Sequence, residues 1–261
     1  MIGDVVGDPG LEALENRLPL LIKDYSADFV IVNGENASGG FGLTEPHLKT
    51  ILNSGADVVS SGNHIWEKRD FWPVLEEEKR VLRPMNYPSG SPGRGWIKIE
   101  KPSPLGVIPW VVLNLQGREL MSPLDCPFKT FDDFEAAQNK NEKPIILLDF
   151  HAESTREKEA LAYYIDGRVC AMAGTHTHVQ TADERFLPKG SAYITDLGMT
   201  GLLDSILGMD TKICVNRAKS QVLYRMEVAV PTEAKKPQIQ GIVLEIESKT
   251  QKAISIKRFT Y

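Results

Sequence analysis

The sequence predicts an α/β protein in which a sandwich of β-sheets is covered by helices, and three observations lead to this class. Short apolar segments alternate with helix-like segments in the first part of the chain, which favours parallel strands joined by right-handed crossovers. Beyond Thr181 the segments are β-like without long helices between them, which favours an antiparallel half packed on the first half. With 261 residues, 42% of them hydrophobic, the chain can bury a large core as one large domain or two small ones.

The first elements are predicted in the order strand, helix, strand, helix, strand. Residues 3–7 read as the end of a strand, and because strands usually run about five or six residues, we expect upstream residues of this strand to be missing. A helix is expected from Asp8 as its N-cap, and Pro19 should kink or shorten it. A strand at 28–33, a helix at 44–55 and a strand at 58–61 follow, and a further helix begins near Glu67.

The middle and last parts of the chain are predicted to alternate between loops, buried strands and one helix. Residues 83–104 are rich in Pro and Gly and should form a long loop, whereas Pro109 places the strand at 107–115 near a sheet edge. A buried strand at 144–150 ends at His151. The remaining elements are a helix at 153–164, strands at 169–173, 193–195, 221–230, 238–246 and 253–259, and a hairpin tip at 235–237.

Composition excludes several classes of protein. The net charge of −5 argues against long nucleic acid as the main ligand, since no basic footprint is present. No apolar stretch approaches the length of a membrane span and no signal peptide begins the chain, so we expect a cytoplasmic protein. The three cysteines are far apart and form no Cys-x-x-Cys pair, which argues against a disulfide framework or zinc ribbon. Cys170 lies in an apolar run and is expected to be a small buried hydrophobe.

Five predicted strand ends finish in residues that bind metal ions. Because the carboxyl ends of parallel strands meet at one crevice, we expect these side chains to converge. Carboxylate, amide and imidazole groups together suit iron, manganese, magnesium or zinc, and the absence of thiolate argues against a purely structural zinc site. The number of candidates makes two ions more economical than one. The candidates are Asp4, Glu35 with Asn36, Asn63 with His64, His151, and His176 with His178.

Each of these residues has a plainer interpretation when it is taken alone. Asp4 can serve as a turn former or helix cap, Asn63 as an Asx turn, and His151 as a hydrogen-bonded core histidine. The two histidines at 176 and 178 can be polar surface or structural residues. The coincidence of five such strand ends favours the metal site. His47 has no strand-end setting and is interpreted as a helix-surface residue.

The order of the motifs resembles that of the calcineurin-like metallophosphoesterases and, more narrowly, their bacterial YmdB-like branch. The motifs are Gly3-Asp4, Asn33-Gly34-Glu35-Asn36, Gly62-Asn63-His64, the isolated His151 and Gly174-Thr175-His176-Thr177-His178. The resemblance spans essentially the whole chain. It implies a four-layer αββα sandwich of the metallophosphoesterase type, a single domain over residues 1–261, and a homo-oligomer.

The resemblance also implies a role for each candidate residue. The first metal would be bound by Asp4, Glu35, Asn36 and His178. Glu35 would bridge to the second metal, which Asn63, His151 and His176 would complete. His64 would stay free of metal as a proton donor or a stabiliser of the reacting phosphate. Two departures from the wider superfamily, Asp4-Val5-Val6 in place of Asp-x-His and Glu35 in place of an aspartate, look like the YmdB-like pattern.

The activity that the resemblance implies is hydrolysis of small phosphodiesters, notably 2′,3′-cyclic nucleotides, by metal-activated hydroxide. The expected cofactors are two divalent ions, iron or manganese first, with magnesium or zinc as alternatives. Two other functions stay open: a phosphomonoesterase with the same site, and a metal-binding regulatory scaffold with incidental turnover. An unligated imidazole at position 64 favours catalysis, because a structural metal site does not need one.

Overall fold

The computed structural model describes residues 1–103, 106–139 and 142–261, and it divides them among short strands, longer strands and helices. A 3₁₀ turn at Arg69–Phe71 precedes the third helix. The elements are β1 (Asp4–Val5), α1 (Gly7–Tyr25), β2 (Ile31–Asn33), α2 (Glu45–Asn53), β3 (Val58–Ser60), α3 (Trp72–Glu77), β4 (Trp96–Ser103), β5 (Gly106–Gln116), α4 (Pro127–Ala137), β6 (Ile145–His151), α5 (Thr155–Ile165), β7 (Ala171–Thr175), β8 (Arg185–Phe186), β9 (Ala192–Ile194), β10 (Met199–Gly201), α6 (Thr211–Ser220), β11 (Gln238–Glu247) and β12 (Lys252–Thr260).

The strands form two sheets. In the first, β1 is parallel to β10, and β10, β11 and β12 continue as antiparallel neighbours. The parallel pair β2 and β3 joins this sheet through Ile2, which bridges both Val32 and Gly241. The second sheet has six strands in the order β4-β5-β6-β7-β9-β8, and β5, β6, β7 and β9 are parallel. Except for Asp4, the first residue of β1, the predicted site residues lie at or after the carboxyl ends of parallel strands in the two sheets.

Three apolar cores separate four layers. One core packs α1 and α2 against the first sheet and contains Leu18 and Ile51. A second core lies between the two sheets, where Val58 and Leu147 come from opposite sides. The third packs α4 and α5 against the second sheet around Phe131. The prediction of an αββα sandwich is therefore confirmed.

Helix α1 is longer than expected. It continues through Pro19 for 19 residues, because its apolar stripe, including Leu14 and Leu18, is fully buried against the first sheet. Pro19 removes the hydrogen bond to the Glu15 carbonyl, but both residues are exposed and water can replace the lost donor. The predicted N-cap was wrong, since Val6 occupies that position and Asp8 lies in the first turn.

The loop predicted at 83–104 was partly wrong, because β4 occupies its second half and pairs antiparallel with β5. Pro104, the last residue of that prediction, lies outside the described residues. The edge position predicted for β5 was also wrong: β4 is the edge strand. Pro109 is tolerated because pairing with β6 begins only at Trp110. Helix α4 was not predicted.

The C-terminal region differs most from expectation. The predicted strand at 221–230 was wrong: within the described residues this segment makes one isolated bridge, between Val228 and Met209, and joins neither sheet. Helix α6 precedes it and was not predicted. The hairpin tip lies between β11 and β12, since residues 235–237 precede β11. The expectation of an antiparallel half was wrong in part, because β10, β11 and β12 are antiparallel neighbours but β9 runs parallel to β7 in the second sheet.

Cys170 is buried as expected, and burial raises the pKa of its thiol to about 12. All three cysteines are free. Among the helices that the structure describes, none combines the length and apolar character needed to cross a bilayer.

Candidate metal centre

His151 lies at the centre of the predicted cluster. It is the last residue of β6 and is fully buried. Its Nε2 atom lies 2.9 Å from Glu35 Oε1, 3.2 Å from Asn63 Oδ1 and 3.0 Å from His176 Nδ1. Three different strand ends thus deliver potential ligand atoms to one point. The described residues Glu35, His151 and His176 form a group that can hold a metal ion.

A buried hydrogen-bond chain orients the His151 ring. Thr175 Oγ1 donates to Asp149 Oδ1 at 2.7 Å, and His151 Nδ1 lies 3.0 Å from the same hydroxyl. Because the hydroxyl hydrogen is directed at the carboxylate, the hydroxyl oxygen accepts from Nδ1–H. This directs Nε2 towards Glu35 and His176, which is the usual arrangement behind a metal-binding histidine.

A glycine makes room for the same ring. A Cβ atom on Gly62 would lie 2.1 Å from His151 Cδ2 and 2.2 Å from its Nε2. Only a residue without a side chain allows the ring to pack over the backbone that follows β3. The Gly62-Asn63 sequence therefore both admits the ring and supplies the neighbouring amide.

The other half of the cluster brings together Asp4, Asn36 and His178. His178 Nε2 lies 3.8 Å from Asp4 Oδ1 and 3.2 Å from Asn36 Nδ2, while His178 Nδ1 lies 3.0 Å from the Leu207 carbonyl oxygen. Asp4 Oδ1 and Asn36 Oδ1 are buried acceptors without a hydrogen-bond partner. Buried acceptors are normally satisfied, so two orphaned oxygen atoms in one cluster fit the place of a bound cation.

The electrostatics of the cluster are dominated by opposite charges buried together. Burial alone would raise the pKa of Glu35, but the charge and hydrogen bond of His151 lower it to about 2. Burial would lower the pKa of His151, and Glu35 and Asp4 instead raise it to about 9. Burial raises the pKa of Asp4 to about 6, whereas burial and the His151 charge lower the pKa of His176 to about 3. Glu35 is therefore ionised and His176 neutral at pH 7, the states in which each binds metals.

His64 stands at the rim of the cluster. Its backbone N–H donates to Glu35 Oε2 at 3.1 Å, which ties it to the centre. Its ring is about one quarter exposed, packs edge-on to Phe41, and has Nδ1 3.3 Å from Glu67 Oε1. Among the described residues, no protein group hydrogen-bonds to its Nε2 atom, so that nitrogen is available to a ligand.

Several supporting residues were not predicted. Asp149 and Thr175 orient His151, and Lys158 and Asp196 form a buried ion pair behind the histidine loop. An acidic residue within the apolar run of β6 was a usable signal, since buried carboxylates need partners. Lys158 gave no signal, because a lysine on a helix is ordinarily exposed. The prediction for His47 was wrong in part: it is half-buried, with Nδ1 2.6 Å from Ser38 Oγ in the loop after β2.

Solved structures match the fold over the full length of the chain. A crystal structure of a hypothetical protein from Thermus thermophilus is 36% identical in sequence and has a TM-score of 0.88. The match covers 100% of this chain and 97% of that one. A crystal structure of a phosphatase from Mycoplasma pneumoniae is 32% identical, with a TM-score of 0.90 and coverage of 100% of this chain and 91% of that one. The fold is that of the metallophosphoesterases.

Sequence comparison shows to which family of proteins with this fold the chain belongs. The family model described as YmdB-like protein matches residues 1–259. A 2′,3′-cyclic-nucleotide 2′-phosphodiesterase from Bacillus subtilis is 45% identical over 259 residues, which cover 98% of this chain and 94% of the relative. The chain belongs to the YmdB-like family. Because its relatives are named as a phosphodiesterase and a phosphatase, the prediction of a phosphoesterase enzyme is confirmed.

Proposed function

We propose that this protein hydrolyses small phosphodiesters, 2′,3′-cyclic nucleotides foremost, at a site that binds two divalent metal ions. The observation that carries the proposal is the convergence of Glu35, Asn63 and His176 on His151 Nε2, all within 3.2 Å. The substrate class is taken from the name of the B. subtilis relative, which is similar over nearly the whole chain. We also propose that residues 1–261 form one domain.

The proposed ligands fall into two sets that share one carboxylate. Glu35 reaches both halves, because its Oε1 atom lies 2.9 Å from His151 Nε2 and accepts from Asn36 Nδ2 at 3.3 Å. These contacts support the proposal that Glu35 would contribute to both metal positions. The first set is Asp4, Glu35, Asn36 and His178, and the second is Glu35, Asn63, His151 and His176. These oxygen and imidazole donors suit iron or manganese, with magnesium or zinc as alternatives.

The residues of the chain divide the remaining tasks. Two bound divalent ions supply charge neutralisation of the phosphate and a nucleophilic water at neutral pH. Glu67 holds the His64 ring through Nδ1, which leaves Nε2 directed away from that carboxylate. His64 can then give a proton to the departing ribose oxygen, or donate a hydrogen bond to the phosphate. Asp149 and Thr175 keep His151 in one orientation.

A comparison of three substrates tests the proposal. Protein loaded with Mn²⁺ or Fe²⁺ should turn over 2′,3′-cyclic AMP and a nitrophenyl phosphodiester, and act weakly on nitrophenyl phosphate. Preference for the monoester would instead identify a phosphomonoesterase. Binding of metal without turnover of any of the three would favour a regulatory scaffold. Metal-free protein serves as the control for contaminating activity.

Two further predictions accompany this function. We also propose a cytoplasmic location and, from the family resemblance, a homo-oligomer. Light scattering of the purified protein tests the second, since an oligomer has a multiple of the 29.0 kDa chain mass.

A further inference from the structure

A buried ion pair lies directly behind the loop that carries His176 and His178. Lys158, in α5, and Asp196, after β9, are both buried, and Lys158 Nζ donates to Asp196 Oδ2 at 2.8 Å. Neither residue belongs to the proposed ligand sets. Burying two charges is costly, and an apolar pair of similar volume is often at least as stable. Stability alone therefore does not explain why this ion pair is present.

Asp196 connects this ion pair to the histidine loop. Its Oδ2 atom accepts from the Thr177 backbone N–H at 3.2 Å and from the Thr177 hydroxyl at 2.9 Å, while its Oδ1 atom accepts from the Gly198 N–H at 2.9 Å. The preceding N–H, that of His176, donates to Asp4 Oδ2 at 3.2 Å. Two successive backbone N–H groups are thus held by two buried carboxylates.

The loop needs such fixation because its backbone is strained. His176 has φ = 98° and His178 has φ = 63°, both in the left-handed region that disfavours residues with a side chain. Conformations of this kind persist only where the surroundings impose them. Thr177 lies between the two histidines, so its contact with Asp196 acts on both.

We propose that Lys158 and Asp196 are positioning residues that hold the His176–His178 loop in the conformation that binds metal ions. Lys158 fixes the carboxylate, the carboxylate fixes Thr177, and Thr177 sets the directions of the two flanking rings. Gly174 allows the close approach that this requires, since a Cβ there would lie 1.8 Å from the Thr195 carbonyl oxygen and 2.9 Å from Lys158 Cδ. The inference rests on the proposed metal site.

The test separates metal affinity from stability. The double variant Lys158→Met/Asp196→Ala removes both charges together and so leaves no unpaired buried ion. We expect it to unfold closer to the parent temperature than Asp196→Ala alone, yet to bind Mn²⁺ about 10- to 100-fold more weakly, as is typical when the support of a metal ligand is lost. Electron paramagnetic resonance of free Mn²⁺ during titration of metal-free protein gives the affinity, and calorimetry gives the unfolding temperature.

Asp166→Asn is the matched control. Asp166 is a buried carboxylate that accepts from the Lys189 and Ser191 backbone N–H groups at 2.7 and 3.2 Å. It precedes β7, at the end of the sheet opposite the histidine loop. This variant should lower the unfolding temperature and keep the parental Mn²⁺ affinity.

Parental Mn²⁺ affinity in the double variant would overturn the inference. Should that variant fail to fold, Thr177→Val decides, because it removes the hydroxyl, one of the two donors that Thr177 directs at Asp196, and leaves both Lys158 and Asp196 in place. Weaker binding by Thr177→Val supports the positioning role, and parental affinity overturns it. If the parent protein itself binds none of Mn²⁺, Fe²⁺, Mg²⁺ and Zn²⁺, the proposed function has failed, and the two failures are thereby distinguished.

Discussion

At the scale of single residues, Glu35 occupies the most demanding position. It is fully buried, ionised, and in contact with His151, Asn36 and the His64 backbone. A buried carboxylate of this kind is retained only when positive charge or donors surround it. In the metal-free protein His151 supplies that positive charge. In the proposed metal-bound protein the ions would supply positive charge as well.

Glu35→Ala should therefore abolish metal binding at both positions. We expect a loss of activity larger than the 10- to 100-fold effect typical of residues that only support a ligand. Metal analysis after purification, together with turnover of 2′,3′-cyclic AMP, measures both effects. Glu245→Ala, which changes an exposed glutamate in β11, is the control. Two ions per chain in the Glu35 variant would contradict the bridging role.

His64→Gln should keep both ions and the fold while turnover falls. If the ring protonates the leaving group, the fall should be about 100- to 10,000-fold on a cyclic nucleotide. It should be smaller on a nitrophenyl diester, whose leaving group departs without a proton. An equal fall on both substrates would indicate phosphate stabilisation instead. Loss of metal from the variant would make His64 a ligand.

The pKa of His151 predicts a pH dependence of metal binding. In the metal-free protein this pKa is raised from 6.5 to about 9, so the protonated ring stabilises the fold below pH 6.5 and that stabilisation is lost as the pH rises through about 9. A metal ion at Nε2 must displace this proton. Mn²⁺ affinity should therefore rise about tenfold per pH unit from this group and level off near pH 9. Equal Mn²⁺ affinities measured at pH 7 and pH 8 would contradict this prediction.

At the scale of elements, the site depends on how strands end. Each proposed ligand except Asp4, which opens β1, follows or closes an apolar strand, so these motif positions could be predicted from the sequence alone. The glycine after β3 shows the limit of that reasoning, because its need for space beside His151 depends on a residue 89 positions later in the chain. Strand β4 was missed for a similar reason, because its pairing with β5 outweighs the local effect of the proline- and glycine-rich segment around it.

Gly62→Ala should displace the His151 ring and weaken the second metal. The new Cβ would lie 2.1 Å from the ring, so the ring or the β3 turn must shift, at a cost of about 1–3 kcal/mol of stability. Chemical denaturation and Mn²⁺ titration measure the two consequences. Gly90→Ala is the matched control, because nothing lies within 4 Å of a Cβ at that exposed position. Unchanged Mn²⁺ binding by the Gly62 variant would show that the cluster adapts.

At the scale of the whole molecule, the candidate site forms at the edge where strands of the two sheets end side by side. Asp4, Glu35 and Asn63 come from the first sheet, and His151 and His176 from the second. The sequence predicted the layers and the convergence, but it could not assign strands to sheets. That assignment depends on long-range pairings, such as β1 with β10, which leave no local pattern in either strand. For the same reason, the isolated segment at 221–230 was mistaken for a sheet strand.

The most direct test of the account is metal content measured together with turnover of 2′,3′-cyclic AMP on the same sample. Freshly purified protein should carry two divalent ions per chain, lose activity in proportion to the ions that a chelator removes, and recover it with Mn²⁺ or Fe²⁺. Undiminished hydrolysis by fully chelated protein, or full activity with one ion per chain, would contradict a dinuclear phosphodiesterase.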